Sequence, residues 1–202
     1  MSTLRIFRKQ GRCSVLGPGV RAVIWVQGCA FRCPGCLVPE SWNPKGGIEV
    51  PVGELVDWVL QQTEIEGLTL SGGEPFNQAA ALAELLKQLH RRSPGLSVMS
   101  YTGYTHRWLN RHGSRDQIRL LEKLDILVDG RYQKDLHADL LWRGSRNQRI
   151  HVLTDRYRGR LPREDRSQGL ELEFSGQGTF TFSGVPPWPD YAGNLRKEFS
   201  RV

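Results

Sequence analysis

Residues 20–36 read Val20-Arg-Ala-Val-Ile-Trp-Val-Gln-Gly-Cys29-Ala-Phe-Arg-Cys33-Pro-Gly-Cys36. The opening seven are largely β-branched and aromatic, with Arg21 as the one charged interruption, which suits a buried strand. That strand runs straight into three cysteines within eight residues. Downstream, helical spacing begins at Leu55, with Trp58 and Val59 on the same side. A short strand at Gly67–Leu70 ends in Ser71-Gly72-Gly73. Asn77 is a candidate N-cap, and Leu82, Leu85, Leu86 and Leu89 then form an i, i+3, i+4, i+7 stripe. Pro94-Gly95 stops that helix. Leu96–Tyr101 reads as a strand, Asp116–Lys123 as a helix, and Asp125–Val128 and Arg149–Leu153 as strands.

Strand alternating with helix is the pattern of a parallel sheet with right-handed crossovers. A complete eightfold barrel needs ~250 residues. This chain has 202, so the expected fold is α/β, either an incomplete TIM-like barrel or an open parallel sheet. Such sheets place their sites at the carboxyl ends of the strands, where both glycine- and cysteine-bearing motifs fall. After Asp155 the character changes. Leu170–Phe174 and Thr179–Phe182 alternate with period two around Ser175-Gly-Gln-Gly178, which reads as a hairpin. Phe174, Phe180 and Phe182 are costly to leave in water, so the hairpin is expected to seal the barrel, with partner recognition as the competing role. The organisation expected is a core domain over residues 1–155, with residues 156–202 as a hairpin and Pro-rich tail rather than an independent domain.

Composition narrows the function classes. Hydrophobic residues make up 39% of the chain and the mean hydropathy is −0.44, as in an ordinary folded protein. The longest apolar stretch falls far short of the ~20 residues a membrane-spanning helix needs. The charged start lacks the apolar segment of a secretory signal, so a cytoplasmic location is expected. Lys and Arg exceed Asp and Glu by 28 to 21, but the basic residues are scattered and no nucleic-acid-binding motif accompanies them. The surplus fits a basic surface suited to an acidic partner.

The chain has four cysteines, Cys13, Cys29, Cys33 and Cys36. In a reducing compartment the cluster of three points to metal or redox chemistry. One loop with thiolates at spacings of four and three can hold three irons of a cubane and leave the fourth open to a chelating small molecule. A zinc site closes with four ligands. Cys13 could complete one, although it stands sixteen residues upstream and also reads as a buried small hydrophobe. Ser71-Gly72-Gly73-Glu74-Pro75 lets the backbone approach a ligand closely, and Glu74 with nearby carbonyls makes an acceptor-rich edge suited to an ammonium group. No phosphate-loop pattern is present. His90, His106, His112, His137 and His151 lack metal-ligand spacing and read as surface or core residues. Asp129 fits either a cofactor-facing role or a turn before Gly130, and Arg143 and Asn147 fit either a ligand or a backbone contact.

Together the motifs resemble the radical S-adenosylmethionine superfamily, and within it the glycyl-radical activating enzymes, nearest to those of anaerobic ribonucleotide reductases. The resemblance rests on Gly17-Pro-Gly-Val-Arg21, Gly28–Cys36, Leu70-Ser-Gly-Gly-Glu-Pro75, Tyr101-Thr-Gly-Tyr104, Leu127-Val-Asp-Gly130, Trp142-Arg-Gly-Ser145 and Asn147-Gln148, and spans roughly residues 5–153. It implies a radical-SAM-type incomplete barrel. It also implies a [4Fe-4S] cluster on Cys29, Cys33 and Cys36, and S-adenosylmethionine along Gly35, Cys36 and Leu37 with its ammonium at Gly72, Gly73 and Glu74. The same resemblance implies a flavodoxin- or ferredoxin-like electron donor and a glycyl radical formed on a partner, an anaerobic ribonucleoside-triphosphate reductase. Modification of another protein or peptide, or a non-catalytic iron–sulfur or zinc module, are the alternatives. Leu37 stands where the family has a polar or aromatic residue, and the segment after Asp155 exceeds the compact members.

Overall fold

The computed structural model describes residues 2–174 and 180–189. Eleven strands and four α-helices follow one another as β1 (Thr3–Cys13), β2 (Arg21–Val26), β3 (Ile48–Pro51), α1 (Val52–Leu60), β4 (Gly67–Gly72), α2 (Ala79–Arg92), β5 (Ser97–Tyr101), α3 (His106–His112), α4 (Arg115–Leu121), β6 (Ile126–Asp129), β7 (His137–Leu140), β8 (Arg143–Ser145), β9 (Arg149–Val152), β10 (Leu170–Phe174) and β11 (Phe180–Gly184). The main sheet has seven strands in the order β3-β1-β2-β4-β5-β6-β9. Its centre, β2-β4-β5-β6, is parallel. The flanks are antiparallel: β1 pairs with β2 and with β3, and β9 with β6. A wholly parallel sheet is therefore corrected to a mixed one, and among the described residues the sheet stays open between β3 and β9. Among those residues no helix is long and apolar enough to cross a membrane.

Pleating gives the sheet two unlike faces. Ala22, Ile24 and Val26 of β2, Leu68 and Leu70 of β4, and Val98 of β5 turn toward the helices, where Leu55, Val59, Leu82, Leu85, Leu86 and Leu89 complete a fully buried core. The leucine stripe of α2 thus does what its spacing demands. Asn77 does not cap α2. A 3-10 turn over Pro75–Gln78 intervenes, with Glu74 accepting from the Phe76 amide, and α2 then starts at Ala79 without a side-chain cap. Pro75 at the first position of that turn fixes φ and needs no amide partner. In α4, by contrast, Ser114 and Gln117 form a reciprocal capping box.

Arg21, Val23 and Trp25, Thr69 and Ser71, and Met99 and Tyr101 face the other way. At the amino end of this face, Arg21 is fully buried and donates to Thr69 Oγ1 (2.8 Å), Ser97 Oγ (2.8 Å), the Leu68 carbonyl (2.9 Å), the Ser97 carbonyl (3.2 Å) and the Pro18 carbonyl (3.1 Å). Tyr157 adds hydroxyl bonds of 2.7 Å to Ser97 Oγ and Glu66. A buried guanidinium is tolerable only when its donors are matched in this way. Above this polar plug lie the aromatic rings of Trp25, Tyr101 and the buried Trp142, and above them the face opens into a cavity.

The hairpin β10–β11 has the expected antiparallel register, Leu172 opposite Phe182 and Glu171 opposite Ser183. Its turn, 175–179, and residues 190–202 lie outside the described residues, as does the Phe180 side chain. It meets β1 and the residue after it through its polar face, while Phe182, followed by Val185 and Pro186, lines the cavity above the sheet. Glu171 accepts from the Ser14 amide (2.8 Å) and hydroxyl (2.6 Å), and Ser183 Oγ donates to Gln10 (2.7 Å). Leu172 and Phe174 are 42% and 60% exposed.

Candidate cluster and cofactor site

The cysteine loop hangs from the end of β2 by a set of backbone bonds. The Gly28 amide donates to the Ser41 carbonyl (2.7 Å) and the Cys29 amide to the Trp42 carbonyl (3.1 Å). Gln27 donates through Nε2 to the carbonyls of Glu40 (3.0 Å) and Asn43 (2.8 Å). Within the loop, the Cys36 amide bonds the Cys33 carbonyl at 3.1 Å. Pro34 and Gly35 sit between them, with Gly35 at φ +78°, the residue pattern of a type II turn. Phe31 locks the loop to the strand ends opposite. Its ring lies against Gly103, where a Cβ would come within 2.4 Å, with Tyr104 edge-on at 4.9 Å and the Arg131 guanidinium 4.2 Å from its centroid.

The Ser71–Pro75 turn is pressed against this loop. The Gly73 amide donates to the Val26 carbonyl (2.8 Å) and the Glu74 amide to the Gly28 carbonyl (2.9 Å). A Cβ on Gly72, which has φ +95°, would lie 2.6 Å from the Val26 carbonyl oxygen, and one on Gly73 would lie 2.4 Å from that of Gly28. The paired glycines are therefore required first by the approach of two backbones. Glu74 is 1% exposed. Its carboxylate accepts from the Phe76 amide (2.9 Å), Thr102 Oγ1 (2.8 Å) and the Gly103 amide (2.8 Å), so it ties the ends of β4 and β5 together. A carboxylate has about four acceptor positions, and one remains. Burial pushes its pKa up to about 7, against the pull of those three donors.

The eight residues assigned to cluster and cofactor line one cavity of about 210 Å³: Cys29, Cys33, Gly35, Cys36, Leu37, Gly72, Gly73 and Glu74. Cys13 does not. It is 1% exposed at the far end of β1, opposite Arg21, while Cys29 lies beyond Val26. Five strand steps separate those two ends, roughly 17 Å at the usual rise, so Cys13 cannot complete a four-thiolate site with the loop. Burial raises its thiol to about 12, that of an inert core cysteine.

The remaining wall was not legible as a site in the sequence. Arg8, from β1, stacks its guanidinium 3.6 Å over the Trp25 ring and donates to the Phe182 carbonyl (2.7 Å) and Ser183 Oγ (3.0 Å). Burial lowers its pKa to about 10, and it stays charged at neutral pH. Ser183, Gly184, Val185 and Pro186 continue the wall beside it. Tyr101 and His137 also line the space. Tyr101 Oη and His137 Nε2 are buried polar atoms without a hydrogen-bond partner among the described residues, as befits a cavity wall awaiting a polar ligand. The Trp142–Gln148 segment acts as a brace. Gln148 accepts from the Gly144 amide (2.9 Å) and donates to the Gly130 carbonyl (2.9 Å), and Asn147 donates to the Arg131 carbonyl (2.8 Å). Arg143 pairs with Asp165. Asp129 accepts from the His106 amide (2.6 Å) and lies 3.0 Å from His151 Nε2, so its contacts are structural.

The donor set fits an iron–sulfur cluster: three soft thiol donors from one loop share one cavity. Burial raises the Cys29 and Cys33 pKa values, and for Cys33 the neighbouring Cys36 and Cys29 add to the rise. A cationic cluster relieves that penalty as it displaces the protons.

A family model described as a 4Fe-4S single cluster domain matches residues 15–151. The anaerobic ribonucleoside-triphosphate reductase-activating protein of Enterobacteria phage T4 is 33% identical over 145 residues, 70% of this chain and 89% of the relative. Its namesake in Salmonella typhimurium is 34% identical over 147 residues, 69% of this chain and 92% of the relative. That of Vibrio cholerae is 36% identical over 148 residues, with the same two shares of 69% and 92%. With a cysteine loop, glycine edge and cavity of this kind, the chain belongs to the 4Fe-4S single cluster domain family and stands among the anaerobic ribonucleoside-triphosphate reductase-activating proteins.

Proposed function

We propose that this chain is a radical S-adenosylmethionine activating enzyme that forms a glycyl radical on an anaerobic ribonucleoside-triphosphate reductase. The observation that carries the reading is the convergence of the three loop cysteines and the Gly72–Glu74 edge on one cavity. The open sheet, with helices on one face, serves as the incomplete barrel. When bound, a [4Fe-4S] cluster with S-adenosylmethionine supplies reductive cleavage of the sulfonium and removal of hydrogen from the partner's glycine.

The chain's own residues position and exclude. Cys29, Cys33 and Cys36 would hold the cluster through three thiolates, and Gly35, Cys36 and Leu37 would border S-adenosylmethionine. Glu74, with one acceptor position left, would receive an N–H of its amino group, while its other bonds fix the rim. Trp25, Trp142 and the polar plug beneath keep water from the inner face. Arg32 and Arg131, both exposed beside the loop, suit an acidic flavodoxin- or ferredoxin-like donor.

Anaerobic reconstitution followed by reduction with S-adenosylmethionine tests the reading. One four-iron cluster per chain, 5′-deoxyadenosine, and a glycyl-radical signal on added reductase are expected. Stoichiometric zinc without iron uptake would refute it. Cleavage without a signal on the reductase would redirect it to another protein or peptide substrate.

A further inference from the structure

β11 brings a glycine of this chain into the cavity. Ser183, Gly184, Val185 and Pro186 line the same space as Cys36 and Glu74. Gly184 has φ +109°, and a Cβ there would lie 2.3 Å from the Gly169 carbonyl oxygen, so the position admits glycine alone. On the function proposed above, this space must also receive a glycine-bearing stretch of the partner, and two backbones cannot occupy it at once. The bonds that hold β11 in place are polar, although Phe182, Val185 and Pro186 also line the cavity. Gln10 accepts from Ser183 Oγ at 2.7 Å, Ser167 Oγ donates to the Val185 carbonyl at 2.8 Å, and Arg8 holds the Phe182 carbonyl at 2.7 Å. Hydrogen bonds exchange with water at little net cost, and a partner segment of like chemistry replaces the apolar contacts as it enters. The hairpin also lies outside the matched residues 15–151, so it is an addition to the unit that the family shares.

We propose that β11, with Val185 and Pro186, is an internal placeholder, a glycine-centred segment that fills the cavity until the partner's own glycine-bearing segment displaces it. This rests on the proposed activation of a partner protein. A tethered segment competes at an effective concentration in the millimolar range. A stray peptide is thereby kept out, and a partner that also docks elsewhere gets in.

The test uses the full-length chain without cluster, and a labelled synthetic peptide of residues 181–189. Gln10→Ala combined with Ser167→Ala loosens β11 from outside the cavity and leaves the Glu171–Ser14 bonds of β10 in place. The double variant is expected to bind the peptide about tenfold more tightly than wild type, the equivalent of ~1.4 kcal/mol. Amide exchange at Ser183–Val185 should quicken by a similar factor while β2 and β4 stay protected, and a peptide carrying Gly184→Val should not bind. Equal peptide affinity with unchanged exchange would make β11 a fixed wall and overturn the proposal. If Cys13 becomes reactive, signalling lost folding, Ser167→Ala alone is read by the same criteria. Since no cluster is involved, peptide exchange without cluster assembly would sink only the proposed chemistry, and cluster chemistry without peptide exchange only the placeholder.

Discussion

Glu74 sets burial against hydrogen bonding, and glutamine at this position shows which wins. Without cluster or cofactor, burial raises the carboxyl from 4.5 to about 7. Between those values the folded chain holds a proton that the unfolded chain has released. Stability therefore falls as pH rises through that window, and the loss is complete above about 7. The interval, at ~1.36 kcal/mol per pH unit, amounts to about 3 kcal/mol. Glutamine has nearly the shape of the protonated acid and never ionises. At pH 5, Glu74→Gln should match wild type to within about 1 kcal/mol. At pH 8 it should be more stable by about 2 kcal/mol, once a few tenths to ~1 kcal/mol are deducted for the amide donor it turns on the Gly103 amide. Urea unfolding of the cluster-free proteins, followed by tryptophan fluorescence at pH 5, 6, 7 and 8, gives both curves. Parallel curves, with the variant less stable throughout by about 1 kcal/mol or more, would refute the reasoning. The amides of Phe76 and Gly103 and the Thr102 hydroxyl would then be holding Glu74 ionised. A carboxylate unstable without a counter-charge is a receptor for cations prepared in advance, at some expense of stability.

Serine at Cys29, Cys33 or Cys36 should each abolish iron–sulfur absorbance after reconstitution. Cys13→Ser should leave it intact and lower stability by about 1–3 kcal/mol, since it puts a hydroxyl in an apolar site. Gly73→Ala forces a methyl group onto the Gly28 carbonyl. It should cost about 1–3 kcal/mol in urea unfolding and impair cluster uptake, because β2 and β4 must part at the loop. Arg21→Met strands the hydroxyl and carbonyl groups that Arg21 now satisfies. A loss of about 3 kcal/mol is expected, measured in the same way.

The parallel centre of the fold was open to reading because β2, β4 and the α2 stripe are strongly patterned. β1 was not, because Arg5, Arg8, Lys9 and Arg12 make it look like a charged leader. Only the structure shows Arg8 laid over Trp25, with Leu4 and Ile6 turned to the core. α3 escaped notice because His106–His112 has Leu109 as its single buried residue. At the site, the cysteine spacing and the Ser71–Pro75 motif pointed to residues that do converge. The work Glu74 does for the fold was invisible, since its partners Thr102 and Gly103 lie 28 and 29 residues away. The hairpin shows a limit of another kind. Period two defines two faces of a ribbon, but not which of them the rest of the molecule covers. Here Gln10 and Ser14 of the β1 region select the polar face.

The polar plug around Arg21 has a consequence for the timing of events. It gives the enclosure a floor, so that traffic runs through the rim near the carboxyl ends of the strands. What lodges deepest arrives first and leaves last. On the proposed chemistry, a small cofactor must be seated before a protein partner covers the rim, and its spent fragments must wait for that partner to depart. Such a queue makes binding ordered, and it ties the turnover rate to how long the large partner lingers rather than to the bond-breaking step.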